Sequence, residues 1–253
     1  MAPEPMPQAA MPILSPRSVL RRLGLAALIL GLIGGMRAPA HALDAPDGKR
    51  PFDILINGVK VGRQLLAFHH EGKTLVVENE IDIASPELWH RLADRTLAAL
   101  RIDERVSEHY MLRCREVWRV GALVEVTTDV NNYDTPAEVD LDATPSGLMV
   151  SGSAGRLPAP PGLVPSSLWQ LEMTQAQSVL DLDSGRILNV HFSQGADEPL
   201  AQGAEDVPAR HVTASGELAR ELWYDHGNGL LLREQYVDRK GQVLEFRYAP
   251  AAP

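Results

Sequence analysis

The chain has 253 residues, 24 Lys+Arg against 33 Asp+Glu for a formal net charge of -9, 45% hydrophobic residues, 5% aromatics and one cysteine. A single cysteine excludes an internal disulfide, a cysteine-rich zinc site and an iron–sulfur cluster. An acidic chain with no basic block and few aromatics is a poor nucleic-acid binder.

Residues 1–42 read as a secretory signal. Arg17, Arg21 and Arg22 form a positive n-region, Leu23 to Met36 an apolar run of 14 residues, and Ala40-His41-Ala42 a cleavage site. The run is shorter than the roughly 20 residues a membrane helix needs. No cysteine lies near Ala42, which excludes a lipid anchor. Arg21-Arg22 leaves both Sec and twin-arginine export open, and either Met1 or Met11 could be the start. Cleavage after Ala42 takes away four Arg and one Glu and leaves residues 43–253, with 20 basic against 32 acidic residues, net -12. The expected product is a single periplasmic domain with no stable membrane span.

The remaining sequence predicts short strands between turn residues. Phe52–Ile56 and Val59–His70 flank Asn57-Gly58, a strong hairpin signal. Glu71-Gly72-Lys73 turns the chain into Thr74–Ile83. Over Pro86–Leu100 the spacing of Leu88, Trp89, Leu92, Leu97 and Leu100, after Ser85-Pro86-Glu87, predicts one amphipathic helix whose stripe packs on the sheet. Strands resume at Val106. Alternation there places Tyr110, Leu112, Cys114, Glu116 and Trp118 on one face. Three further strands are expected over Leu123–Val130, Ala137–Leu141 and Leu148–Gly152.

Residues 153–166 read as a proline-rich loop and 194–206 as a polar, mobile one, with a helical turn within Ser166–Met173. Gln177–Asp181, Arg186–Phe192 and Val207–Ala214 read as strands. Glu217–Tyr224, Leu230–Val237 and Gln242–Tyr248 form a closing meander. The fold class is mainly β: an antiparallel curved sheet or half-open barrel of about ten or more strands with one packed helix.

No nucleophile elbow, phosphate loop, dinucleotide fingerprint or zinc-protease motif occurs. His69 and His70 are adjacent on a strand and point to opposite faces, so they do not chelate one metal. Catalytic, metal and cofactor assignments are therefore none. Cys114 reads as a buried, inert thiol. Glu116, a carboxylate on an apolar face, must pair or become neutral. It is either a raised-pKa acid lining a cavity or half of an ion pair with Arg233 or Arg247. Asp225 and His226, at the end of Trp223-Tyr224-Asp225, are explained by a hairpin turn.

The strings Glu116-Val117-Trp118-Arg119-Val120-Gly121-Ala122-Leu123, Pro165-Ser166-Ser167-Leu168-Trp169, Leu182-Asp183-Ser184-Gly185-Arg186, Val207-Pro208-Ala209-Arg210 and Glu221-Leu222-Trp223-Tyr224-Asp225 occur in this order. With the N-terminal hairpin they resemble an uncharacterised family of exported bacterial proteins, domain of unknown function 6134, over about residues 52–248. The resemblance implies no activity and no catalytic residue. The hairpins of Trp223–Tyr248 are also loosely similar to periplasmic half-barrels of the lipoprotein-carrier kind, which hold acyl chains or sense misplaced lipoproteins.

The expectation is a non-enzymatic exported protein whose interior holds a lipid or other hydrophobic molecule, with Tyr110, Glu116, Trp118, Trp169 and Trp223 lining the cavity. Two alternatives stay open. One is an envelope hydrolase or isomerase that uses Glu116 with a histidine. The other is a filled-core protein that acts on an envelope protein partner through its surface.

Overall fold

A computed structural model describes residues 45–84, 109–132, 135–145, 147–203, 205–238 and 241–250. The signal over 1–42 and the helix over 86–100 lie outside the described residues. The first strands are β1 (Gly48–Ile56), β2 (Val59–Glu71), β3 (Thr74–Ala84), β4 (His109–Arg119), β5 (Ala122–Asn132), β6 (Thr135–Thr144), β7 (Gly147–Gly152) and β8 (Gly155–Pro158). After them come β9 (Val164–Pro165), β10 (Ser178–Leu180), β11 (Ile187–Gln202), β12 (Glu205–Gly216), β13 (Arg220–Asp225), β14 (Leu231–Val237) and β15 (Val243–Tyr248).

All fifteen belong to one open sheet, in the order β8-β7-β6-β5-β4-β3-β2-β1-β15-β14-β13-β12-β11-β10-β9. The first described strand, β1, lies mid-sheet, and the strands follow outward in order to β8. The chain then crosses to the opposite edge at β9 and meanders back until β15 pairs antiparallel with β1. Among the described residues only β9 and β10 pair in parallel.

This order forces curvature. The strand ends Pro158 and Val164, at opposite edges, are joined by residues 159–163, a link that spans at most ~23 Å. Fourteen flat inter-strand gaps would separate those edges by ~67 Å. The sheet therefore curls until its ends approach. At the seam, the Ser153 N–H and hydroxyl both donate to the Ser184 carbonyl, at 2.9 and 2.8 Å. A Cβ on Gly152 would stand 2.7 Å from that carbonyl oxygen and 2.8 Å from Gly185 Cα. Both obstacles are backbone, so Gly152→Ala should cost about 1–3 kcal/mol. Thermal unfolding should show a melting temperature lower by several degrees, and an unchanged value would mean that the seam is slack.

The core lines the concave face, from Phe52, Leu66 and Phe68 through Leu112 and Val126 to Leu222, Tyr224 and Phe246. The crossover fills it. Leu168, Trp169 and Met173 are almost completely buried, and Trp169 packs edge-on against Phe68 and Trp118 at 5.2 and 6.0 Å. Leu168 takes φ 40, which an L residue adopts only under constraint. Its carbonyl accepts the buried Tyr224 hydroxyl at 2.9 Å.

Of two expected loops, the first keeps its loop over 159–163 and carries two short strands, and the second is largely strand. The 153–166 segment holds β8 and β9, the two sheet edges, where proline costs no ladder bond. The 194–206 segment extends the β11–β12 hairpin, with Pro199 directly opposite Pro208. Neither proline has an N–H, so they fit a non-hydrogen-bonded pair. The helical turn is a 3-10 segment at Leu171–Gln175. Asn57-Gly58 forms the expected hairpin turn, with φ 48 and 80. Val120-Gly121 adopts the same form, with φ 50 and 75, and a β-branched residue is strained there. Val120 is exposed, so Val120→Asn should stabilise the fold by about 0.5–1.5 kcal/mol, read as a higher urea midpoint at unchanged slope.

Candidate functional site

Glu116 is fully buried, and alternation along β4 points it inward between Cys114 and Trp118. Its Oε2 accepts the indole N–H of Trp118 and of Trp169, both at 3.0 Å, and its Oε1 accepts the Ser167 hydroxyl at 2.6 Å. The strings around Glu116 and around Trp169 thus meet in one knot that fastens the crossover to β4. Burial raises the Glu116 carboxyl above its ordinary range, against the opposing pull of the three donors.

The expected ion pair does not form. Arg233 and Arg247 are directly opposite one another across β14 and β15, and both bind Glu245, at 3.0 and 2.9 Å. Glu116 has no histidine among its hydrogen-bond partners in the described residues. His70, His109, His211 and His226 instead bind Asp47, Asp82, Glu221 and Asp197. Burial pushes the Cys114 thiol up, which suppresses the thiolate.

Beside the knot lies a cavity of about 200 Å³. Ser166 and Ser167 line it from the crossover, and Tyr110 and Leu112 from β4. Gln64 on β2 and Asn79 on β3 form a second wall. Arg220 on β13 with Glu234 and Tyr236 on β14 form a third. Ile81, Ile83, Leu182, Leu244 and Phe246 supply the apolar surface. Asp183, in contact with solvent at the mouth, accepts the Tyr110 hydroxyl at 2.5 Å.

Arg220 Nη1 donates to Glu234 Oε1 at 2.5 Å and to the Ser166 carbonyl at 3.2 Å, and its guanidinium lies over the Tyr236 ring at 5.2 Å. Burial raises Glu234, whereas Glu234 raises Arg220 against burial. The two directions conflict for one pair. The contact distance and the strong basicity of guanidinium decide for an ionised pair. Partial loss of hydration also raises Asp183, despite its solvent contact, against its bond from Tyr110, and burial lifts the Tyr110 phenol well above its ordinary value and pushes Tyr236 up to about 12.

Of the five residues expected at a cavity, Tyr110 lines this one. Glu116, Trp118 and Trp169 come together behind it as packed core, and Ser167 connects them to it. Trp223 does not belong to either group. Leu222 and Tyr224 take the concave face, so alternation sends Trp223 to the other side of the sheet, in a small cluster with Leu200, Ala209 and Leu232. There it stacks on His211 at 4.7 Å, lies under Arg233 and donates to Glu198.

Gln64, Asn79, Arg220, Glu234 and Tyr236 were not anticipated. The signal for the first two was the one that singled out Glu116. Gln64 shares a face with Leu66 and Phe68, and Asn79 with Leu75 and Val77, so each is a polar residue on an apolar strand face.

Residues 106–249 match the family described as a domain of unknown function (DUF6134). The chain belongs to this family. The DUF6134 match spans β4 to β15 and so contains the Glu116 knot, Asp183 and the Arg220–Glu234 pair, whereas Gln64 and Asn79 precede it. No curated protein matches the chain. Among the described residues no group of three or more His, Cys, Asp or Glu could hold a metal, and no helix is long and apolar enough to cross a membrane.

Proposed function

We propose that this DUF6134 protein is exported to the periplasm and works without catalysis, by binding a small molecule in the Arg220–Asn79 cavity. The observation that carries this reading is a cavity floored by the Ser166-Ser167 crossover, whose buried walls present polar atoms beyond those they satisfy among themselves. The carrier-like version of this reading narrows to a small ligand. Leu168, Trp169 and Met173 occupy the centre where an acyl chain would lie. The remaining space also falls below the roughly 300–1,000 Å³ of ordinary ligand pockets.

Native mass spectrometry of the exported protein, purified without detergent, tests both halves. A polypeptide mass beginning at Leu43, with a stoichiometric small-molecule adduct, is expected. A retained N-terminus would defeat the export reading. A clean apo mass that takes up no offered small molecule would defeat the binding reading. That second result would favour a protein that acts through its surface, to which the filled interior also lends support.

A further inference from the structure

We infer that the cavity takes a neutral, polyhydroxylated single ring of monosaccharide size; this rests on the binding reading above and names its ligand class. The size is the first argument. About 200 Å³ is the liquid share of roughly six or seven waters, which admits one substituted ring and no extended chain.

The second argument is the pairing of donors with acceptors. Gln64 and Asn79 are 5% and 2% exposed and are hydrogen-bonded to each other at 2.9 Å. That bond uses one amide nitrogen and one amide oxygen. It leaves one carbonyl and one amino group on the same wall without a partner among the described residues. Exchanging O and N in both amides leaves the same complement. The Arg220–Glu234 wall repeats the arrangement. Arg220 has five N–H donors and directs only Nη1 at Glu234 and Ser166, while the second oxygen of Glu234 stays unbonded among the described residues. A sugar hydroxyl both donates and accepts, so each wall matches it in both senses. Tyr236 adds a hydroxyl with no hydrogen-bond partner among the described residues.

Charge is the third argument. Among the described lining residues the one guanidinium is bound to Glu234, and Asp183 makes a second carboxylate. An anionic ligand would find no unpaired cation. A cationic ligand would find Asp183 engaged by Tyr110 at the mouth. The apolar wall of Ile81, Leu244 and Phe246 suits the C–H face of a ring.

The test is a calorimetric titration of the exported protein, freed of any co-purified ligand, with glucose, ribose, myo-inositol, succinate and putrescine. At least one of the three neutral polyols should bind with a stoichiometry of one. Asn79→Leu should weaken that binding about tenfold or more. Tyr236→Phe removes a single oxygen and keeps the fold, and should weaken it several-fold at an unchanged apo melting temperature. Binding of succinate or putrescine without any polyol would overturn the ligand class and leave the binding reading in place. Polyol binding untouched by Tyr236→Phe and by a folded Asn79→Leu would overturn the assignment to this cavity. No binding by any probe, joined to a clean apo mass, would overturn both.

Discussion

Glu116→Leu should lower the stability of the fold by about 3–5 kcal/mol, because it strands buried hydrogen-bond donors. The Trp118 and Trp169 indoles have no other acceptor among the described residues and cannot reach solvent from a fully buried site. Ser167 can rotate toward the cavity, so its loss is smaller. Against a total stability of about 5–15 kcal/mol for an ordinary domain, this is a large fraction. The crossover should detach with it, since Ser167 and Trp169 are fastened to β4 through this carboxyl. Equilibrium urea unfolding followed by Trp fluorescence measures it. A loss below about 1 kcal/mol would mean that the knot is incidental to the packing.

Glu116→Gln separates hydrogen bonding from charge. A glutamine keeps an acceptor for the two indoles and presents its amino group to the Ser167 oxygen, so the fold should survive. The pH dependence carries the information. Burial holds the Glu116 pKa above its ordinary 4.5, so the folded state binds this proton more tightly than the unfolded chain does. The stability that results is fully present below 4.5 and is lost as pH rises through the folded-state value. Wild type should therefore lose ground to Glu116→Gln as pH rises from 4.5 toward 8. A difference that moves the other way would show a carboxylate held ionised by its three donors, and would reverse the sign assigned to burial.

The sequence made the local part of this arrangement legible. Period-two alternation on β4 set Leu112, Cys114, Glu116 and Trp118 on one face, and the structure buries all four. The sheet order was not legible, because no local signal records that β1 and β15 pair or that five residues join opposite edges. Proline was read as a loop former where it marks edge strands at Pro158 and Pro165. Trp223 was expected at the cavity, but its neighbours Leu222 and Tyr224 take the concave face. Glu234 was hidden by a bulge. The ladder between β13 and β14 shifts between Trp223 and Tyr224, so that Leu231 and Glu234 face inward while Leu232 joins the outer cluster. An extra residue of this kind defeats strict alternation.

Arg220→Met should be nearly as damaging as the loss of Glu116, for a different reason. Removing the guanidinium leaves the Glu234 carboxylate, whose side chain is 7% exposed, without its 2.5 Å partner, and an orphaned buried charge costs about 3–5 kcal/mol. The Ser166 carbonyl loses its donor at the same time. The deficit should shrink in acid, because a carboxyl without its cation takes up a proton more readily and the neutral acid tolerates burial. The double variant Arg220→Met/Glu234→Leu should recover most of the loss, since an apolar pair of similar volume replaces an ion pair at little net cost. Urea midpoints of the two single variants and the double variant form the test, and a double variant no more stable than Arg220→Met would show that the damage comes from misfitted packing. The same protein isolates function from fold. With stability restored and the charged wall gone, it should no longer bind the polyol that wild type binds. Retained binding would move the recognition wholly to the Gln64–Asn79 wall.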